Sequence, residues 1–253
     1  MEKLKDGGGH SAESSCEYGA VVLAAGAGKR MCSDTKKQFL PLSGKPVLYY
    51  SLKVFQESFV DEIVLVVSEE DISYCKREIV EKYGFTKVKY IVAGGRERYH
   101  SVAAGISCFA SYSYLFIHDG ARPMVTEEIL KRALLCVKEH DACVVGMPVK
   151  DTIKIADEKG RIACTPDRNL VWMVQTPQVF KLSLIKEAYG RLIKEEKTLI
   201  KQGINITDDA MVVESLTGHP VKLVKGSYEN IKITTPEDLK IAESLMSGRK
   251  DGV

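Results

Sequence analysis

The sequence has no pair of cysteines at C-x-x-C spacing, and its seven cysteines are odd in number. This pattern argues against a disulfide framework and a zinc site, and it favours reduced thiols and a cytoplasmic protein. No apolar run approaches the roughly 20 residues of a membrane helix, so no membrane association is expected. The formal net charge is only +2, which provides no general attraction for nucleic acid.

Neither end of the 253-residue chain has the composition of a folded element. Residues 1–17 contain no apolar stretch, which argues against a signal peptide, and we expect them to form a disordered tail. Residues 248–253 are predicted to form a second short tail. The remaining residues, 18–247, have the length and composition of a single α/β domain.

Within that domain, short apolar runs alternate with segments of helical periodicity. The predicted strands are 19–24, 62–68, 88–93, 114–119, 142–149, 221–225 and 230–234. The predicted helices are 46–58, 69–83, 101–111, 126–140, 181–196, 207–216 and 236–246. This alternation predicts a Rossmann-like, mostly parallel sheet with helices on both faces.

The alternation changes near residue 150. Residues 150–169 contain two short alternating runs around Glu158-Lys159-Gly160, which predicts an antiparallel hairpin inserted into the α/β domain. A lone two-stranded hairpin is marginally stable in water. We therefore expect this one to pack on another surface, and a second subunit is a good candidate.

The loop after the first strand is rich in small and basic residues. It reads AAGAGKRM, and Lys36 and Lys37 follow soon after it. Met31 stands where a dinucleotide-binding G-x-G-x-x-G motif needs its third glycine, and Arg30 replaces the Ser or Thr of a phosphate-binding P-loop. A close-fitting backbone followed by positive charge still suits a polyanion such as a nucleoside triphosphate.

Several further stretches make the pattern specific. These are GGRERYHSV (94–102), IHDGARP (117–123), VKDTIK (149–154), DRNLVWMVQTPQVF (167–180), ITDDA (206–210) and ENIKITTPEDL (229–239). Together with the loop, and in this order over about residues 18–246, they resemble the 2-C-methyl-D-erythritol 4-phosphate cytidylyltransferases. The resemblance implies an enzyme that transfers CMP from CTP to a polyol phosphate and releases pyrophosphate.

The resemblance also implies a nucleotide site. Arg30 and Lys37 would neutralise the triphosphate as catalytic cations, and Mg²⁺ would be held mainly by the phosphates rather than by a protein metal site. The remaining nucleotide contacts would come from Ala24, Ala25, Gly26, Ala27, Gly28, Gly95, Arg96 and Ser101. The family often has an acidic residue at the position of Arg96, and the contact that the resemblance implies there is made by the backbone around Gly95 and Arg96.

A second set of residues is implied for the polyol phosphate. Arg168 and Lys232 would act as catalytic cations on it, and the full set is Asp119, Arg122, Thr152, Arg168, Thr207 and Lys232. The hairpin would be the arm of a homodimer, about residues 150–171, and would carry Thr152 and Arg168 to the partner's site. His118 is expected to make a structural hydrogen bond, because a phosphate monoester with a second pKa near 6 needs no general base.

Two alternatives remain open on sequence alone. The acceptor could be another polyol phosphate such as ribitol 5-phosphate, since the implied CTP site would be the same. The chain could also be a catalytically silent nucleotide-binding scaffold, although a scaffold would not need both Arg30 and Lys37.

Overall fold

The computed structural model describes residues 17–26 and 35–250 of the chain. Its strands are β1 (Tyr18–Ala24), β2 (Pro41–Leu42), β3 (Lys45–Pro46), β4 (Glu62–Val67), β5 (Val88–Ala93), β6 (Tyr114–Asp119), β7 (Ala142–Pro148), β8 (Ile155–Ala156), β9 (Ile162–Cys164), β10 (Trp172–Lys181) and β11 (Lys222–Lys225). Its α-helices are α1 (Val47–Glu57), α2 (Ile72–Tyr74), α3 (Arg98–Ser107), α4 (Glu127–His140), α5 (Leu182–Lys201), α6 (Asp209–Thr217) and α7 (Pro236–Lys250). Shorter 3-10 helices lie at Lys37–Phe39, Glu69–Asp71 and Arg168–Leu170, and α2 continues as a π-helix over Cys75–Glu81.

Seven strands form one sheet in the order β11-β7-β10-β6-β1-β4-β5. Strand β10 runs antiparallel to β6 and β7, and the other pairs are parallel. The predicted mostly parallel α/β sheet is therefore confirmed. Its parallel strands β1, β4 and β6 are apolar and buried along nearly their whole length, as expected for strands covered on both faces.

Helices cover both faces of the sheet. On one face, α1 and α4 bury a cluster that includes Leu52, Phe55 and Leu130. On the other, α3, α5 and α6 bury a cluster that includes Ile106 and Leu192. No helix among the described residues combines the length and the apolar character that crossing a bilayer requires.

The structure differs from the sequence predictions in three places. Residues 172–181, for which no strand or helix was predicted, form an inner strand, β10, and its ladder accommodates Pro177 at a register shift between Val174 and Gln178. Residues 230–234 form no strand, because their backbone bonds go to side chains and to the loop after β6. Helix α3 begins at Arg98 instead of 101, because Glu97 and His100 form a capping box at its start.

The predicted hairpin is present as β8 and β9, which form a two-stranded sheet of their own. Its apolar side chains are exposed to an unusual degree: Ile162 is 64% exposed and Leu170, just beyond the hairpin, is 80% exposed. The described chain thus presents an apolar surface here. Its use as a dimerisation arm stays a prediction.

Candidate active site

A cleft of about 360 Å³ opens where the carboxyl ends of β1, β5 and β6 meet. In parallel α/β sheets this edge is where ligands bind. Among the described residues, the cleft is lined by Leu23, Ala24, Ala25, Gly26, Lys37, Gln38, Gly95, Arg96, Glu97, Arg98, Ser101, Asp119, Ala121 and Lys232. The sheet edge therefore brings together most of the predicted nucleotide contacts, whereas Ala27, Gly28 and Arg30 lie outside the described residues.

The turn between β5 and α3 forms one wall and depends on its two glycines. A Cβ on Gly94 would lie 2.6 Å from the Ala25 Cβ and 2.7 Å from the Ser101 Oγ, and a Cβ on Gly95 would collide with His100. The backbone N–H of Gly95 donates to the Ser101 Oγ at 3.1 Å. Small residues are thus required for this turn to approach the end of β1 so closely.

Asp119, the last residue of β6, is the carboxylate at the centre of the cleft. Lys232 Nζ lies 2.8 Å from its Oδ2, and Arg98 Nε lies 3.8 Å from its Oδ1. Burial alone would raise the pKa of this carboxyl, but the surrounding cations Lys232, Arg98 and Arg122 hold the pKa well below its usual range. Asp119 is therefore ionised throughout the physiological pH range.

Arg98 is a cleft residue that the sequence analysis did not assign. Its Nη1 and Nη2 donate to Asp209 Oδ1 and Oδ2 at 2.7 and 2.8 Å, and the Tyr189 hydroxyl also donates to that carboxylate. This bidentate pair joins α3 to the start of α6 beside Asp119. The available signal was its place three residues before Ser101, on the same side of a helix.

Lys36 and Lys37, neighbours in sequence, have different surroundings. Lys36 Nζ contacts Ser68, Glu70 and Asp71, each at 2.6 Å, and it does not line the cleft. Lys37 lines the cleft. The side-chain amide of Gln38 is buried and donates to the Ala24 carbonyl at 2.6 Å, which fixes this short helix to the end of β1. Gln38 was also missed from sequence.

His118 lies behind Asp119 and is fully buried. Its Nδ1 is 3.0 Å from the Thr176 Oγ1, which also accepts a bond from the Asp119 N–H at 3.1 Å. Burial lowers the pKa of this imidazole to about 4, so it is neutral at physiological pH. A structural role for His118 fits these contacts.

The other predicted acceptor-site residues lie away from the described lining of the cleft. Arg122 Nη1 donates to the Asn230 carbonyl at 2.8 Å and its Nε lies 3.7 Å from Asp119, so it contacts the carboxylate from behind. Thr152 and Arg168, which flank the hairpin, are exposed, as is Thr207 before α6. The single chain does not bring these three into the cleft.

A mostly parallel α/β sheet that presents a glycine turn, four cationic side chains and two carboxylates at its carboxyl edge has the arrangement of an enzyme that acts on nucleotide phosphates. The family model described as 2-C-methyl-D-erythritol 4-phosphate cytidylyltransferase matches residues 19–248. The chain belongs to this family.

Relatives with the same name cover nearly the whole chain. The protein from Lachnoclostridium phytofermentans is 49% identical over 92% of this chain and 97% of its own. The one from Lachnospira eligens is 49% identical over 90% of this chain and 99% of its own. The crystal structure of 4-diphosphocytidyl-2C-methyl-D-erythritol synthase from Anaerococcus prevotii is 30% identical, with a TM-score of 0.78, over 91% of this chain and 96% of that one.

Proposed function

We propose that this enzyme transfers CMP from CTP to 2-C-methyl-D-erythritol 4-phosphate, giving the CDP-alcohol and pyrophosphate. The observation that carries the proposal is the cleft, in which Lys37, Arg98 and Lys232 surround the ends of β1 and β6. Membership of the cytidylyltransferase family supports the same reaction. Cysteines that are unpaired among the described residues suit a cytoplasmic enzyme.

The nucleotide would lie along the wall formed by Ala24, Ala25 and Gly26 and by the turn at Gly94 and Gly95. Backbone groups of this turn and the Ser101 hydroxyl face the cleft and could bond the edge of the cytosine base. A site built on such bonds rejects a base that leaves them unpaired. Arg96 is exposed on the rim, so its contribution would be a charge near the phosphates or a backbone contact.

The chemistry needs charge stabilisation rather than a general base. The attacking phosphate monoester is largely dianionic at neutral pH, since its second pKa is near 6. Attack on the α-phosphate increases charge on its oxygens and on the departing pyrophosphate, and fixed cations stabilise that state more than the ground state. Lys37 and Arg30 would serve the triphosphate, and Lys232 and Arg168 the acceptor.

Mg²⁺ fits this site as an ion carried by the nucleotide. Mg²⁺ is usually bound through one or two carboxylates together with substrate phosphates. Asp119 supplies one ionised carboxylate in the cleft, already paired with Lys232. When bound, the ion would neutralise phosphate charge, and the protein's own cations would orient the reacting groups.

We also propose that the acceptor site is completed by a second copy of the chain. The hairpin strands expose Ile155 and Ile162, and the 3-10 helix that follows exposes Leu170; together they form an apolar surface suited to a partner subunit. In that homodimer Thr152 and Arg168 of one chain would serve the neighbour's cleft, and Asp119, Arg122, Thr207 and Lys232 would come from the chain itself. The catalytic domain would span 18–247, with the arm at about 150–171.

The test is a substrate panel. The protein is incubated with Mg²⁺ and with CTP, ATP or GTP, together with methylerythritol 4-phosphate or ribitol 5-phosphate, and pyrophosphate release is followed. We expect release only with CTP and strongly with methylerythritol 4-phosphate. Preference for ribitol 5-phosphate would establish the alternative acceptor, use of ATP would refute the cytidine assignment, and no release with any pair would favour the silent scaffold.

A further inference from the structure

Lys232 lies in a segment that neither a helix nor a strand supports. Residues 226–233 follow β11 and lack ladder pairing, yet Lys232 Nζ lies 2.8 Å from the Asp119 carboxylate. A lysine side chain is long and flexible, so its ammonium is placed well only if its backbone is fixed. Other contacts must therefore hold the backbone of this segment in a fixed position beside the end of β6.

The first set of contacts comes from Asn230, which is fully buried. Its Nδ2 donates to the Thr176 carbonyl at 2.9 Å and to the Gln175 Oε1 at 3.2 Å. Gln175 Nε2 in turn donates to the Ser227 carbonyl at 2.7 Å. Two carboxamides thus tie the turn at 227–230 to β10.

The second set of contacts ties the same segment to the residues after Asp119. Arg122 Nη1 donates to the Asn230 carbonyl at 2.8 Å, and the Ile233 N–H donates to the Ala121 carbonyl at 2.8 Å. These bonds lie on either side of Lys232 in sequence. These bonds fix the backbone of Lys232 relative to the Asp119 carboxylate that its side chain contacts.

We infer that Asn230 is a positioning residue for Lys232, acting through the backbone of 230–233. Apolar contacts alone would hold the segment less specifically. Ile233 packs into a small cluster with Leu42 and Val47, and this packing keeps the segment against the core but does not orient its backbone. A buried carboxamide is costly unless it is hydrogen-bonded, and both N–H groups of Asn230 are used. The inference rests on the proposed function, in which Lys232 binds the acceptor phosphate.

Substitution of Asn230 should affect the binding of one substrate only. The nucleotide wall is built from β1, Gly94, Gly95 and Ser101, none of which contacts Asn230 through the bonds described. Loosening Asn230 should therefore disturb the acceptor phosphate and leave CTP binding unchanged. A general loss of stability would disturb both.

The experiment compares Asn230→Ala and Asn230→Asp with wild type. Asp keeps the shape of the side chain but replaces both donors by a carboxylate oxygen and adds a charge, whereas Ala removes the donors without adding charge. Asn230 Oδ1 has no hydrogen-bond partner among the described residues, so an effect that both variants share reports the lost donors. With wild-type folding confirmed by circular dichroism, we expect the KM for methylerythritol 4-phosphate to rise about tenfold and the KM for CTP to stay constant. Val137→Ala, in α4, should lower the melting temperature and change neither KM.

A double-mutant cycle with Lys232→Ala decides whether Asn230 acts through Lys232. If it does, Asn230→Ala should have no further effect on the acceptor KM in the Lys232→Ala background. An unchanged acceptor KM in both Asn230 variants, equal increases for both substrates, or full additivity in the cycle would overturn the inference. Lack of wild-type turnover with CTP and any polyol phosphate would instead refute the proposed function.

Discussion

Lys36 and Lys37 are neighbours in sequence, but Lys36 is held in ion pairs outside the cleft and Lys37 lines the cleft. Both belong to the basic stretch that sequence analysis associated with a triphosphate. In the folded chain Lys36 binds the acidic turn at Glu70 and Asp71, and hydrogen bonds there raise its pKa although burial opposes them. The cluster of basic residues in the sequence therefore indicated the position of the cleft. Which lysine faces the cleft depends on tertiary contacts that the sequence does not show.

The first prediction compares these two lysines. Lys37→Ala should fold normally and lose about 100-fold or more in kcat, because a fixed cation at a developing phosphate charge is worth about 3–4 kcal/mol. Lys36→Ala should lower the melting temperature and keep kcat close to wild type, because its ammonium is committed to Glu70 and Asp71. Steady-state pyrophosphate release and thermal melts measure both. Near wild-type kcat in Lys37→Ala would remove Lys37 from the mechanism.

At the scale of elements, the sequence predicted the parts with strong periodicity and missed those with mixed signals. Strand β6 is apolar over its first four residues and helix α4 is clearly amphipathic, and both were predicted within a residue. Strand β10 combines Pro177 with the polar residues Gln175 and Gln178. Their side chains are buried and hydrogen-bond to segments that are distant in sequence. Such long-range bonds cannot be read from local pattern.

The same limit applies to the candidate site. Asp119 and Ser101 were implied by the family resemblance of the stretches that contain them, and Asp119 also follows an apolar strand, at the sheet edge where ligands bind. Arg98 and Asp209 could not be paired from sequence, because they are 111 residues apart and meet only when α3 and α6 pack together. The 230–234 segment has the alternation of a strand, yet Asn230 binds side chains of β10 instead of a neighbouring ladder.

The second prediction concerns the turn between β5 and α3. Gly94→Ala should raise the KM for CTP, because the added methyl group would meet Ala25 and Ser101 on the nucleotide wall. Gly190→Ala is the matched control: it lies within α5, and a Cβ there meets nothing within 4 Å. The control should be more stable by roughly 0.5–1 kcal/mol with unchanged kinetics. An unchanged CTP KM in Gly94→Ala would show that the turn does not contact the nucleotide.

At the scale of the whole molecule, the two halves of the proposed acceptor site are separated within one chain. Lys232 lines the cleft, whereas Arg168 is exposed on the hairpin segment and does not. An arginine suits a phosphate because its planar guanidinium can bind two oxygens at once. A two-fold symmetric dimer in which each hairpin crosses to the neighbour would join the two halves.

The third prediction tests this arrangement with mixed dimers. Arg168→Ala and Lys37→Ala homodimers should each be nearly inactive, since every site carries a defect. If Arg168 acts in the neighbour's cleft, a dimer with one chain of each kind has one site with both defects and one intact site. Activity per mixed dimer should then return to roughly half of wild type, because a two-fold dimer has two sites.

If Arg168 does not cross to the neighbouring subunit, the mixed dimer should have a different activity. If Arg168 acts within its own chain, each site of the mixed dimer keeps one defect, and activity stays as low as in the homodimers. Differently tagged chains purified through both tags ensure that only mixed dimers are assayed. Low activity in verified mixed dimers would exclude the crossed arm and would leave the CTP site at Gly94, Ser101 and Lys37 unaffected. A chain that is monomeric at assay concentrations yet fully active would reject the dimer itself, because one copy would then contain every group that the reaction needs.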